Sequence, residues 1–350
     1  MRVKLFPSVI IILLLTFLFS GIPVFADGLV GDGRLEAKNL VGLYENGSER
    51  FFIRERDERI ELLYDVEGGG DIAFKDYTTY PLLLTEIDTY RLLSYGPLSK
   101  EVAMITFSRD GNRRGVACQI GEKTFQRSFY DPERGLTFRI KPLLPLEELQ
   151  KEARQGIPPV ENGIFRPSDL VEVVKLDSTI QLDIRYATAN NFMGIPLYDE
   201  PRAFLQRPAA QALVEVQRQL QKYGYGLIIY DAYRPWYVTK MFWEATPDKQ
   251  KGFVADPQKG SRHNRGGAVD VGLYELKNGN PVIMISGYDE FSIRAYPTYP
   301  GGTTIERWQR DLLRTIMQGE GFTVYPEEWW HFDYSEWQHY PIQNRRFNEI

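Results

Sequence analysis

Ser261-Arg262-His263-Asn264-Arg265-Gly266-Gly267-Ala268-Val269-Asp270, joined later in the chain by Glu328-Trp329-Trp330-His331, holds the residues around which the C-terminal half is organised. The chain has three histidines, and two of them stand in these short segments, each near a carboxylate. Two imidazoles and one carboxylate form the ligand set of many catalytic zinc sites, which keep a fourth position open for water. On that reading Glu328 is left over as a base. His263 and Asp270 are seven apart, an odd separation that would point them to opposite faces of an unbroken strand. Gly266-Gly267 removes the objection, because paired glycines permit a tight reversal at positive φ. His263 then precedes the turn, and Asp270 lies on the apolar run that follows it. Glu328 and His331 stand three apart in an aromatic run after Pro326, which favours a strand. In a regular strand they would diverge, so an irregularity or a strand end is expected there. His339 lies outside both motifs and reads as an ordinary surface or core histidine.

The surrounding sequence supplies a scaffold. Leu170 to Val174 and Gln181 to Ile184 read as strands, and Pro208 to Tyr223 as a helix with Ala209, Leu213, Val216 and Leu220 on its buried face. Gly224 ends that helix. Leu227 to Asp231 is continuously apolar before its last residue, the pattern of a buried strand, and it delivers Tyr233 and Arg234 to a loop. Val238 to Glu244 predicts a second helix, packed by Tyr237 and Trp243. Ile305 to Gly319 predicts a third, with Trp308, Leu312, Leu313 and Ile316 as its apolar face. Gly321 to Tyr325 then begins the strand that presents Glu328 and His331. Residues 168–350 therefore predict an α+β domain, with helices packed over a small, mainly antiparallel sheet and the site on its opposite face. On residue grounds alone, Arg234 before Pro235 reads either as a surface ion-pair partner or as a permanent charge that can meet a developing oxyanion.

Ser-x-His-x-x-Gly-x-Ala-x-Asp followed by Glu-Trp-Trp-His resembles the zinc D-alanyl-D-alanine dipeptidases, within the group that includes the D-Ala-D-Ala carboxypeptidases and hedgehog-like domains. Asp183-Ile184-Arg185-Tyr186-Ala187-Thr188 with Asn191-Phe192-Met193-Gly194, and Asp231-Ala232-Tyr233-Arg234-Pro235, resemble two further motifs of that family, in the same order and spacing. The resemblance covers roughly residues 168 to 338. It implies one zinc per chain held by His263, Asp270 and His331, with Glu328 as general acid and base and Arg234 facing the transition state. It also implies a pocket containing Ser261, an aspartate, Asp289, that receives the substrate's free ammonium, and Tyr186 lining that subsite. Ile293-Arg294-Ala295-Tyr296-Pro297 departs from the family, whose members often carry a histidine pair there. The implied reaction is hydrolysis of D-Ala-D-Ala to two D-alanines, in cell-wall peptide turnover or scavenging. The alternatives are an exported D,D-carboxypeptidase or endopeptidase trimming peptidoglycan stem peptides, and a non-catalytic zinc module that binds wall peptides.

Ahead of this half, residues 27–145 carry short, partly alternating segments such as Glu49 to Arg54, Arg59 to Tyr64, Val102 to Phe107 and Gly115 to Ile120. Turns at Gly68-Gly69-Gly70 and Asp110-Gly111-Asn112 separate them. They predict an all-β, antiparallel accessory domain without a histidine. It resembles the β-barrel modules appended to some serine hydrolases, in a Gly-x-Tyr opening and a Phe-x-x-Asp-Gly hairpin. Packing and the binding of wall material are both open roles for it. Residues 146–167 read as a linker with a short helix at Glu147 to Arg154, ended by Gly156-Ile157-Pro158-Pro159. Residues 1–26 read as an export signal: Arg2 and Lys4, the apolar run Val9 to Phe19, then Val24-Phe25-Ala26 with cleavage after Ala26. That places the mature chain in the periplasm or outside the cell, and the same segment, if retained, is the chain's only membrane anchor. Cys118 is the single cysteine, so no internal disulfide forms. The net charge of −5, with both signs interleaved and no basic run, excludes a nucleic-acid partner.

Overall fold

Eight strands in sequence order make the N-terminal unit: β1 (Gly42–Glu45), β2 (Arg50–Arg56), β3 (Arg59–Asp65), β4 (Tyr77–Glu86), β5 (Thr89–Leu92), β6 (Met104–Arg109), β7 (Gly115–Ile120) and β8 (Lys123–Ser128). Each pairs antiparallel with the next, and β1 closes on β8 with Leu43 opposite Ser128. The meander expected from sequence is thus a closed barrel, which leaves no edge strand. Alternation does the rest: Ile105 and Phe107 of β6 turn inward beside Tyr44, Phe51 and Phe125, and Cys118 is buried with them. The computed structural model describes residues 37–65, 77–93 and 103–350. The export segment with its cleavage site and the Gly68-Gly69-Gly70 turn lie outside these residues. Among the described residues no helix is long and apolar enough to cross a membrane.

The C-terminal unit follows as α1 (Leu146–Gln155), β9 (Leu170–Glu172), β10 (Gln181–Leu182), β11 (Phe204–Gln206), α2 (Arg207–Gln221), β12 (Tyr225–Asp231), α3 (Trp236–Ala245), β13 (Ala268–Glu275), α4 (Thr304–Gly319), β14 (Phe322–Tyr325) and β15 (Glu328–Tyr334). Its main sheet runs β10-β12-β13-β15-β14, antiparallel except for β10 with β12, and β9 pairs with β11 separately. Helix α2 packs on β12 and α4 on β14, burying Leu213, Val216 and Leu220 of the one and Leu313, Ile316 and Met317 of the other. Thr303 caps α4, its hydroxyl accepting from the Glu306 amide while the Glu306 carboxylate accepts from the Thr303 amide. Three details differ from the sequence reading. The strand expected to Val174 ends at Glu172, where a 3-10 turn begins, and β10 keeps only two residues. Trp308, expected on the buried face of its helix, is 44% exposed at the edge of that face, against Tyr225.

The stretch expected to connect the two units is built into the core: Leu149 and Ala153 of α1 are buried, and Gly156 lies against Trp236 of α3. The barrel also packs directly on the second unit. Leu43, Phe52 and Leu63 belong to the C-terminal buried cluster, and Phe52 meets the Tyr299 ring edge-on at 5.8 Å. The Glu55 amide donates to Gly302 O at 3.1 Å, and its carboxylate accepts from the Thr304 amide at 2.7 Å, at the α4 N-terminus where a negative charge is favourable.

The turn before β13 positions the site. His263–Arg265 form a 3-10 turn, Gly266 takes φ +66°, and the chain reverses into Ala268. A Cβ on Gly267 would come within 2.4 Å of the Trp337 Cβ and 2.9 Å of its Cα. Gly267→Ala is therefore expected to destabilise the protein by about 1–3 kcal/mol, as overpacking does, read as a lower midpoint in urea; an unchanged midpoint would show that the turn can shift without cost.

Candidate active site

Three neighbouring strands bring their functional side chains into one row. Asp231 of β12 stands opposite Asp270 of β13, and Asp270 stands opposite His331 of β15. Directly paired residues share a face, so the three carry their side chains together. The row depends on a bulge. In β12 the pairing passes from Ile229 opposite Val271 straight to Asp231 opposite Asp270, so Tyr230 is the extra residue. Without it Asp231 would fall on the far face. The irregularity expected between Glu328 and His331 is present too: β14 pairs Val324 with Phe332 and then Tyr325 with Glu328, and Glu328 begins β15.

His263 reaches the same spot from its turn. Its Nδ1 lies 2.6 Å from the Ala232 carbonyl, which can only accept, so the proton is on Nδ1 and Nε2 is bare. His331 is oriented by the same kind of contact: Nε2 faces Asp333 Oδ1 at 2.9 Å, so Nδ1 points inward. The two inward nitrogens are 3.0 Å apart, and Asp270 Oδ1 is 3.3 Å from the first and 3.1 Å from the second. That oxygen is buried without a hydrogen-bond donor directed at it. Three potential ligand atoms within 4.8 Å of one another are the donor set of a cation site, and the residues fit a zinc ion. A proton is the other species that relieves the crowding, and without a metal His331 carries it. Burial opposes charge on His331, but the facing Asp270 and Asp333 carboxylates outweigh it and push its pKa up to about 10. Burial likewise opposes charge on Asp270, yet the His263 and His331 imidazoles hold its carboxyl below the usual carboxylate range.

Around the donors, one cavity of about 480 Å³ is lined by all of the residues singled out in sequence: Tyr186, Arg234, Ser261, His263, Asp270, Asp289, Glu328 and His331. Glu328 Oε2 lies 3.8 Å from His331 Nδ1, and burial pushes its carboxyl up to about 8. Arg234 is buried, with Nε 2.9 Å from Asp231 Oδ2 and its guanidinium over the rings of Phe242 and Tyr186 at 4.8 and 5.2 Å. Its plane is thereby fixed while Nη2 stays 3.8 Å from Asp270. Tyr186 donates to Asp289 Oδ2 at 2.8 Å. Burial and the nearby Asp270 charge push the Asp289 carboxyl well above its usual range. The Ser261 hydroxyl accepts from the His263 amide at 3.2 Å.

Four supporting residues escaped the sequence reading. Asp333 was within reach, since residues two apart on a strand share a face and His331 precedes it by two. Tyr288, which donates to Asp270 Oδ2 at 2.8 Å, sits in an irregular loop and gave no signal. Asp231 lay inside a motif, but its role needs the bulge; it accepts from Tyr198 at 2.6 Å while holding Arg234. Asn264 ties the turn to the arginine loop, donating to Arg234 O at 2.8 Å and Thr239 Oγ1 at 2.9 Å.

Paired acceptors ready for a cation, next to a buried carboxyl and at the floor of a cavity, are the arrangement of a metallopeptidase. Residues 166–350 match the D-ala-D-ala dipeptidase family of peptidases, and the chain belongs to that family. It is 35% identical over 181 residues to the D-alanyl-D-alanine dipeptidase of Escherichia coli K12, a match spanning 52% of this chain and 92% of that protein. The D-alanyl-D-alanine dipeptidases of Enterococcus faecalis V583 and Streptomyces coelicolor are 33% and 31% identical, over 49% of this chain and 92% and 94% of their own lengths.

Two outcomes follow. Asp333→Ala removes the acceptor that orients His331, and is expected to weaken binding of zinc by about 10–100-fold, measured by competition with a chromophoric chelator; unchanged affinity would make Asp333 a bystander. In chelator, stability is expected to fall as pH rises. Glu328 moves from an ordinary 4.5 to about 8 in the folded chain, and His331 from 6.5 to about 10. Each therefore holds its proton more tightly folded than unfolded, and that stabilisation is complete at low pH and lost as pH passes through the folded value. Thermal unfolding of the chelated protein between pH 5 and pH 10 reads this; a midpoint that rises across the window would contradict it.

Proposed function

We propose that this chain is an exported, zinc-dependent dipeptidase that hydrolyses D-alanyl-D-alanine to two D-alanines. The observation that carries the reading is the convergence of three potential ligand atoms, His263 Nε2, His331 Nδ1 and Asp270 Oδ1, in a cavity that also holds Glu328, Arg234 and Asp289. His263, Asp270 and His331 would hold one zinc. Bound zinc supplies Lewis acidity, polarising a carbonyl and bringing the pKa of a water ligand toward about 7.

The chain's own groups divide the remaining work. Glu328 Oε2 takes a proton from the attacking water and delivers it to the leaving amine nitrogen, a transfer worth roughly 10²–10⁴-fold. Arg234, held rigid by Asp231 and two rings, meets the negative charge that develops on the carbonyl oxygen. Asp289 receives the free ammonium. Its carboxyl is hard to ionise alone because it is buried near Asp270, and an arriving ammonium removes that penalty. An N-acylated peptide has no such charge, and a desolvated carboxylate left unpaired costs several kcal/mol. Tyr186 fixes the carboxylate by its hydrogen bond, and Ser261 borders the same cavity. Export places the enzyme with peptides released in cell-wall turnover rather than with the cytoplasmic dipeptide pool.

Glu328→Gln is expected to lower kcat by about 10²–10⁴-fold with zinc content unchanged; loss of zinc in that variant would make Glu328 a ligand instead. Wild type is expected to prefer free D-Ala-D-Ala over N-acetyl-D-Ala-D-Ala, and Asp289→Ala to abolish the preference. Faster cleavage of the acetylated peptide by wild type would move the enzyme to trimming of peptidoglycan stem peptides.

A further inference from the structure

The loop that carries Tyr288 and Asp289 runs between β13 and α4, with a single 3-10 turn at Ile293–Ala295 as its regular structure. Asp289 sits at φ +55°, a left-handed conformation that a non-glycine residue keeps only when its surroundings enforce it. From the catalytic side three hydrogen bonds hold the loop: Trp329 Nε1 to Ser286 Oγ at 2.8 Å, Tyr288 to Asp270, and Tyr186 to Asp289. From the other side a chain of charges holds it. Glu290 accepts from the Gly287 amide at 3.1 Å and from the Ser292 hydroxyl at 2.6 Å, and lies 3.3 Å from Arg294 Nε, which donates to Ile285 O at 3.1 Å. These contacts close the loop on itself.

Arg294 then leaves the loop for the barrel. Its Nη1 is 2.9 Å from Glu133 Oε2, and its guanidinium lies 4.7 Å from the Tyr130 ring centroid. Glu133 sits in the 3-10 turn directly after β8, where its other oxygen accepts from Arg127 of β8 at 2.7 Å. Packing does part of this job, since Gly287 lies against Pro132 and Phe291 against Phe138. Beside these contacts, a cavity of about 310 Å³ is lined by Met284 to Tyr288 on the loop and by Val41 to Leu43 on the barrel side. The charges that span the gap are largely buried, hence weakly screened. The E. coli relative has 92% of its length matched by 52% of this chain, and what remains of it is too short for an eight-stranded barrel, so this support belongs to the present chain.

We propose that the barrel is a working part of the substrate site: the ion chain Arg127–Glu133–Arg294–Glu290 fixes the loop bearing Asp289 and thereby sets how tightly the free ammonium of a dipeptide is held. The proposal rests on the reading of Asp289 given above. Glu133 is a positioning residue, more than one side chain removed from the reacting atoms, and its loss acts on binding before chemistry.

The test uses the full chain with Glu133→Gln, which keeps the shape and removes the charge, and Arg294→Lys, which keeps the charge and loses the fork. Both are expected to raise KM for free D-Ala-D-Ala about tenfold, within the range of coupled contacts, with kcat within about threefold of wild type and KM for N-acetyl-D-Ala-D-Ala unchanged. Amide hydrogen exchange across residues 285–296 is expected to quicken in both variants while β13 stays protected. The double variant is expected to cost no more than the worse single one, because both break one chain. KM for the free dipeptide within twofold of wild type in the folded variants, or an equal rise for both peptides, would overturn the proposal. If wild type does not cleave the free dipeptide, the functional reading fails, and hydrogen exchange alone judges the pinning: unchanged exchange at 285–296 would overturn that too. If Glu133→Gln does not fold, Arg294→Lys decides by the same criteria.

Discussion

A single buried carboxylate oxygen sets the terms for the rest of the structure. Asp270 Oδ1 lies at the middle strand of the site with an imidazole nitrogen of His263 at 3.3 Å and one of His331 at 3.1 Å. Such a group is costly unless a positive charge is supplied. Every neighbouring element answers that requirement. The Gly266-Gly267 reversal lets His263 return to the strand it precedes, the register of β15 puts His331 opposite, and Tyr288 and Arg234 attend the second oxygen. The two histidine rings are held by a carbonyl and by Asp333 with one nitrogen of each facing inward, so the donors are organised before anything binds.

The second constraint is geometric and concerns what lies beside the donors. Regular strands fix His331 and Asp270 to within their register, but Asp289 hangs on an irregular loop in a left-handed conformation. Its precision depends on contacts made from both sides, one set from the catalytic sheet and one from the barrel's exit segment. The barrel's Glu55 also meets the start of α4, the helix that follows this loop, so the N-terminal unit touches the connection between β13 and α4 at Arg294 and again at its end.

How much of this was legible in the sequence differs from one residue to the next, for physical reasons. That His263 and Asp270 can meet followed from turn chemistry, which is local; that Glu328 and His331 join them rested on the residue types of a ligand set and on the family resemblance, because strand period alone would make those two diverge. The helices at Arg207–Gln221 and Thr304–Gly319 followed from apolar spacing and a cap, although Trp308 shows that an apolar residue at the right spacing can still lie at the edge of a buried face. The β12 bulge that brings Asp231 to Asp270 was not legible, because it exists only as a mismatch between two strands. Barrel closure could not be read from strand period for the same reason, since it joins the first strand to the eighth, and only the resemblance to β-barrel modules pointed to it. Tyr288 and the Glu133–Arg294 contact were out of reach because an irregular loop carries no period. Asp333 is the exception: period two placed it beside His331 and would have found it.

Zinc titration of the chelator-stripped wild-type chain measures whether His263, Asp270 and His331 form one cation site. Calorimetry with parallel metal analysis is predicted to give one zinc per chain, with protons released on binding as His331 gives up its own, and to give no such binding in Asp270→Ala. Absence of stoichiometric binding by the folded wild type, or binding that survives Asp270→Ala undiminished, would contradict the account.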